Sequence, residues 1–251
     1  MPDAGRGLLD RPSALPRECL APLADLVVAL ADNKHALGLR YAEWCSSGPT
    51  IEAGVAATGM AQDELGHARV LYGLLEELPD APRRSEHEWS AADARTIAFV
   101  ETPFGSWPRL IVANVTLDRA LAAVLETACD SRYLPLRARA RKIIEEERYH
   151  AIHGQSWLDA LGAEGPDVRR EMEAALAAVW PDTVCWFGPD RGGVLACLVD
   201  AGVLDAAGDA VRTRFLAQLT PALDAAGLRA PSRAPLPWGR WDEHARRLRR
   251  G

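Results

Sequence analysis

The chain has 251 residues and a formal net charge of -6, with Ala, Leu, Arg and Glu abundant and Tyr, Phe, Ile and Lys scarce. The acidic balance argues against nucleic acid as the main partner. No apolar run reaches membrane-spanning length, and the N-terminus lacks a charged-then-apolar signal pattern, so a cytoplasmic protein is expected. Five cysteines without C-x-x-C spacing (Cys19, Cys45, Cys129, Cys185, Cys197) predict reduced, mostly buried thiols.

Residues 1–19 are punctuated by Gly and Pro and predict a flexible N-terminal segment, leaving 20–251 as a single helical domain. From Leu20 the apolar pattern Leu23, Val27, Leu30, Leu37, Leu39 has helical period and runs to Trp44, where Ser46-Ser47-Gly48-Pro49 stops it. Thr50 is the predicted N-cap of a second helix that ends near Leu78, before Pro79 and Pro82. After a charged linker, Ala91 to Val100 predicts a short helix. A third long helix is expected from Trp107 to Asp130. A turn over Ser131 to Pro135 leads to a fourth that reaches Leu161 and closes at Gly162. Residues 167–186 read as a fifth helix, with weaker segments at 193–205 and 208–226 and an Arg-rich tail. Two hairpins of long helices predict an all-α four-helix bundle with additional C-terminal helices.

Two stretches carry Glu-x-x-His: Glu64 with His67, and Glu147 with His150. Positions i and i+3 share a helix face, so each pair aims a carboxylate and an imidazole the same way. Two such pairs on facing helices supply four of the six ligands of a carboxylate-bridged di-iron or di-manganese centre.

The remaining ligands must lie at the same height in the bundle. With the first turn centred on residue 48, the antiparallel counterparts of Glu64 and His67 fall near residues 29–32, which selects Asp32. His35 and Glu43 stay open as alternatives, although Glu43 lies roughly 16 Å along the helix from Asp32 at ~1.5 Å per residue. With the second turn near residue 133, the counterparts of Glu147 and His150 fall at 116–119, where Asp118 is the carboxylate; Glu126 is about two turns too close to its helix end. The expected metal set is Asp32, Glu64, His67, Asp118, Glu147 and His150, with Glu64 and Glu147 in the catalytic bridging role. Such ligands suit iron, or manganese, that must bind O2. Inward-facing Met60, Leu65, Val115 and Ala122 are expected to line an apolar substrate pocket.

At these residues the chain resembles the phenylacetyl-CoA epoxygenase (phenylacetic acid catabolic) family of ferritin-like proteins. "LADNKHALGLRYAEWCSSGP", "ETPFGSW", "ERYHAIHGQSWLDALG" and "GRWDEH" resemble the structural, non-catalytic subunit of that bacterial oxygenase, whose metal ligands are largely lost. "QDELGH" instead resembles the di-iron motif of the catalytic subunit. Two departures from that catalytic pattern stand out: Met60 takes the place of a lysine one turn before Glu64, and Asp32 that of a first-helix glutamate. The "AEWC" match assigns Glu43 a structural role. The resemblance implies a ferritin-like fold and, with the ligands in place, oxygen activation.

The leading expectation is a di-iron mono-oxygenase that hydroxylates or epoxidises a small organic substrate, such as an aromatic CoA thioester. It would use an external reductase, since no Rossmann fingerprint or cysteine cluster is present. The alternatives are a non-catalytic structural subunit in a homo- or hetero-oligomer with a related ferritin-like subunit, and a ferritin-like peroxidase or iron-handling protein. The tail arginines Arg240, Arg246, Arg247, Arg249 and Arg250 either clamp a CoA phosphate, meet an acidic partner or stay solvated. Trp238 and Trp241 suggest that the tail folds back.

Overall fold

Helix α1 (Arg17–Ala42) and helix α2 (Ile51–Glu77) make the first hairpin of a computed structural model that describes residues 7–90, 92–189, 193–231 and 235–249. The apolar period of α1 becomes its core face, with Leu23, Val27, Leu30 and Leu37 buried. Thr50 caps α2, its hydroxyl accepting from the Ala53 N–H at 3.1 Å, a contribution of about 1 kcal/mol. The two helices approach closely at Gly38, where a Cβ would meet Leu65 at 3.0 Å and Glu64 at 3.1 Å. That contact sets the height of Glu64 against α1.

The third rod is one helix in sequence but three pieces in structure. Helix α3 (Trp107–Ala113) passes through a π-helical turn (Asn114–Asp118) into α4 (Arg119–Glu126). A π turn holds an extra residue and turns the following side chains, a distortion that often marks functional positions. Helix α5 (Leu134–Gly162) returns antiparallel. Its Gly154 lies against the π turn, where a Cβ would overlap the Asn114 side-chain oxygen.

The short helix expected over Ala91 to Val100 is absent among the described residues, leaving only a 3-10 turn at Ala98–Glu101; Ala91 lies outside them. The reason is a competing set of bonds from α1. The Asp32 carboxylate accepts the Arg95 N–H at 2.8 Å, and the Asn33 side chain accepts the Ile97 N–H at 2.8 Å while donating to the Arg95 carbonyl at 3.1 Å. Backbone groups satisfied by side chains have no need of a helix.

Helices α6 (Pro166–Cys185) and α8 (Asp209–Ala225) cover the second hairpin, and the short α7 (Ala196–Asp200) packs on α1. Residues 1–6 of the expected flexible segment lie outside the described residues. From residue 7 the chain is tied down, with Leu9 bonded in both directions between Arg132 and Leu134 at 2.8 Å. The tail folds back as a small hairpin of β1 (Trp241–Asp242) and β2 (Arg247–Leu248). Arg246 is buried with its guanidinium 5.5 Å and 5.7 Å from the Trp186 and Trp241 ring centroids, and Arg247 pairs with Glu101 at 3.1 Å. These two arginines hold the tail in place; Arg250 lies outside the described residues. No helix among the described residues is long and apolar enough to cross a membrane.

Candidate functional site

Three of the four rods bring acidic and imidazole side chains to one buried level. Helix α2 contributes Glu64 and His67, the π turn contributes Asp118, and α5 contributes Glu147 and His150; all five are buried. Ligand atoms of Glu64, Asp118, Glu147 and His150 lie within 4.8 Å of one another, a set that could hold a metal ion.

The sixth expected residue does not join them. Asp32 is buried elsewhere, accepting from the Tyr72 hydroxyl at 2.7 Å and from the Arg95 N–H. The alternatives do not join either: His35 stacks on Trp89 at 5.0 Å, and Glu43 pairs with Arg40 at 2.9 Å. Helix α1 sends in Lys34 instead. Its Nζ donates to Glu64 Oε1 at 2.9 Å, Asp118 Oδ1 at 2.7 Å and Glu147 Oε1 at 2.6 Å. An ammonium has three N–H donors and here each meets a carboxylate.

Distance from a tight turn fixes a residue's height in the bundle but not its direction around the helix. Two residues at ~100° each separate Lys34 from Asp32 by about 200°, so the two point to opposite sides of α1. A signal for Lys34 was present in the sequence. It sits four residues after Leu30 and three before Leu37, on the apolar face itself, in a chain with only two lysines.

Around this ion cluster runs a shell of hydrogen bonds. Asp118 Oδ2 accepts from Tyr41 at 3.0 Å, from Asn114 at 3.3 Å and from His150 Nδ1 at 3.1 Å. Asn114 also donates to the Tyr41 oxygen at 2.9 Å. His150 Nε2 faces Asp63 at 3.4 Å, and His67 Nε2 faces Glu146 at 2.8 Å. His67 Nδ1 lies 3.3 Å from Glu147 Oε1 but is misaligned for a hydrogen bond. Tyr41, Asn114 and Glu146 carried no sequence signal as site residues, because their roles depend on contacts between rods.

The electrostatics follow from this packing. Burial works to lower the Lys34 pKa, but Asp118, Glu147 and Glu64 outweigh it and hold the amine well above its usual range. Burial would raise Glu64, yet Lys34 and the two imidazoles hold it well below the carboxylate range. Burial and the neighbouring Asp118 push Glu147 up to about 7, against the pull of Lys34. Burial disfavours both imidazoliums, but the facing carboxylates push His67 up to about 9 and His150 up to about 12. Three acidic groups therefore meet three basic ones, so that the opposite charges of the cluster offset one another.

A bound metal ion would sit ~2.0–2.2 Å from oxygens of this kind. Lys34 Nζ already holds one oxygen of each of the three carboxylates in the candidate set, so a metal ion would have to compete with the ammonium for the space between them. The first-helix position that a dinuclear centre fills with a carboxylate carries the opposite charge here. With Lys34 in place, the donor set fits one ammonium rather than two metal ions.

A cavity of about 150 Å³ lies outside the cluster between Asn114, Val115, Arg119, Gln155 and Phe215. Of the expected pocket residues, Val115 lines it; Leu65 instead packs on Gly38, and Met60 sulfur lies 3.9 Å from the Asn114 amide.

No curated protein matches this chain. A family model, described as phenylacetic acid catabolic protein, matches residues 9–250. That family supplies ferritin-like components of a multicomponent di-iron oxygenase in phenylacetate catabolism. With nearly every residue inside the match, the all-helical bundle and the buried Glu/Asp/His cluster have a common explanation: the chain belongs to the phenylacetic acid catabolic protein family.

Proposed function

We propose that this chain is a non-catalytic, structural component of a multicomponent oxygenase of phenylacetate catabolism. One observation carries the reading: the Lys34 ammonium is bonded to Glu64, Asp118 and Glu147 at 2.6–2.9 Å. The lysine does permanently what metal ions do in a loaded ferritin-like bundle, neutralising acids that three rods force together. Oxygen activation then belongs to a related ferritin-like subunit held by this chain. That subunit takes the small-molecule substrate and the electrons of an external reductase, in the cytoplasm.

The test is metal content. After anaerobic incubation with ferrous iron, desalting and exposure to air, the wild-type chain should retain well under one metal and show no oxo-bridge absorption. Lys34→Ala should retain more iron than wild type. Two irons per wild-type chain would overturn the reading.

A second reading, the di-iron (or di-manganese) mono-oxygenase using O2, has one specific observation in its favour. Glu64 Oε2 and His67 Nδ1 are buried without hydrogen-bond partners, and two orphaned donor atoms on one face are what a metal ligand set leaves behind. Loading would require Lys34 to leave three carboxylates. Glu64, His67, Asp118, Glu147 and His150 would then hold the metals, with Asp32 outside the set.

A further inference from the structure

Away from the ion cluster, two cysteines from distant parts of the chain face each other. Cys19 lies in the first turn of α1 and is buried, while Cys197, in α7, is partly exposed. The Cys19 thiol donates to the Cys197 carbonyl at 3.2 Å, and the Cys197 thiol reaches the Glu18 carbonyl at 3.8 Å. The Cys197 thiol also reaches the Val194 carbonyl of its own segment at 3.3 Å. Both residues line a solvent-open cavity of about 350 Å³, together with Arg132, Glu18 and Asp200. Cys45, Cys129 and Cys185 have no cysteine partner among the described contacts.

We propose that Cys19 and Cys197 form a peroxide-responsive thiol pair that closes into a reversible disulfide between α1 and α7. The oxidant is hydrogen peroxide or an organic hydroperoxide, small enough for the cavity. The Cys197 thiolate attacks the O–O bond, which breaks to give a sulfenic acid and water or an alcohol. The Cys19 sulfur then displaces the sulfenic oxygen, which leaves as water with the Cys19 proton. Two thiols lose two electrons and two protons, and one peroxide is reduced. The order follows from access. Cys197 is the exposed partner, whereas burial and the adjacent Cys197 push the Cys19 thiol up to about 12, too high for it to attack first. Each thiol lies against a main-chain carbonyl of the other's element, at 3.2 and 3.8 Å, which brings the two side chains to one place between α1 and α7. This pair is independent of the metal question at the ion cluster.

The test uses the full-length reduced chain treated with hydrogen peroxide, followed by alkylation, intact mass and peptide mapping. The expected result is a loss of two hydrogens, a linked peptide containing Cys19 and Cys197, and full reversal by dithiothreitol. Cys45→Ser, Cys129→Ser and Cys185→Ser should cross-link like wild type. Cys197→Ser should leave Cys19 unmodified, and Cys19→Ser should stop at a dimedone-reactive sulfenic acid on Cys197. The proposal fails if all five thiols remain alkylatable, if the linked peptide joins other cysteines or two chains, or if wild-type Cys197 gains oxygen without bridging.

Discussion

Replacing Lys34 with methionine keeps most of the side-chain length while removing the charge and all three donors. Glu64, Asp118 and Glu147 are then left facing one another with only the two imidazoles for compensation. Removing one partner from a buried ion network typically costs about 3–5 kcal/mol, because the remaining charges stay buried without a counter-ion. In a chain of this size each kcal/mol shifts the melting temperature by roughly 2–4 °C, so a fall of about 6–20 °C is expected. The lower part of that range is favoured, since Glu147 already titrates at about 7 and can take a proton in place of the lysine. Adding Glu147→Gln to Lys34→Met should recover part of the loss, giving a coupling energy of about 1–3 kcal/mol in a double-mutant cycle. The assay is thermal and urea unfolding in chelator-treated buffer, repeated with manganese or ferrous iron. Metal should stabilise Lys34→Met by about 2.7 kcal/mol at one hundred times its dissociation constant, and wild type hardly at all. Equal stability of Lys34→Met and wild type without metal, or equal stabilisation of both by metal, would show that the ammonium does not hold the cluster together.

Asp32→Ala tests the one expected ligand that lies apart. It removes the acceptor for Tyr72 and for the Arg95 N–H, so stability should fall by about 1–3 kcal/mol while metal uptake by the Lys34→Ala background stays unchanged; a drop in uptake would return Asp32 to the site. Gly154→Ala forces a methyl group into the Asn114 side chain and should cost about 1–3 kcal/mol by overpacking, read by urea unfolding; a neutral effect would mean the π turn yields freely. Asp182 is held up to about 6 by burial, with Arg240 opposing. Its folded pKa is above its unfolded one, so it destabilises the fold at neutral pH, and this penalty disappears as pH falls from about 6 towards 4. Asp182→Asn should therefore be more stable than wild type by about 1–2 kcal/mol at pH 7, after allowance for its partial exposure, with the gap closing on acidification. A gap that widens in acid would contradict the sign.

The long rods were legible because their signals are local. Thr50 caps, Gly48 and Pro49 interrupt, and the α1 apolar period is its core face. The heights of Glu64, His67, Asp118, Glu147 and His150 were also calculable, since tight turns tie antiparallel positions together. Three things were not. The direction of each side chain around its rod depends on helix rotation, which is why Lys34 and not Asp32 meets the carboxylates. The π turn at Asn114–Asp118 leaves no mark in periodicity. The segment before Ala98 looks helical on its own and is held out of a helix by side chains from elsewhere, Asp32 and Asn33 of α1 and Arg247 of the tail.

Sequestration of one of the two lysines has a practical side. Lys34 is fully enclosed, so the lysine offered to a reagent is Lys142, whose side chain is 65% exposed on α5. Amine-reactive cross-linkers will be nearly silent on this chain when it is mixed with other subunits. The bond they do form will start one turn from Glu146, the residue that faces His67. Any assembly mapped in this way needs carboxylate- or thiol-directed chemistry to be seen from other sides.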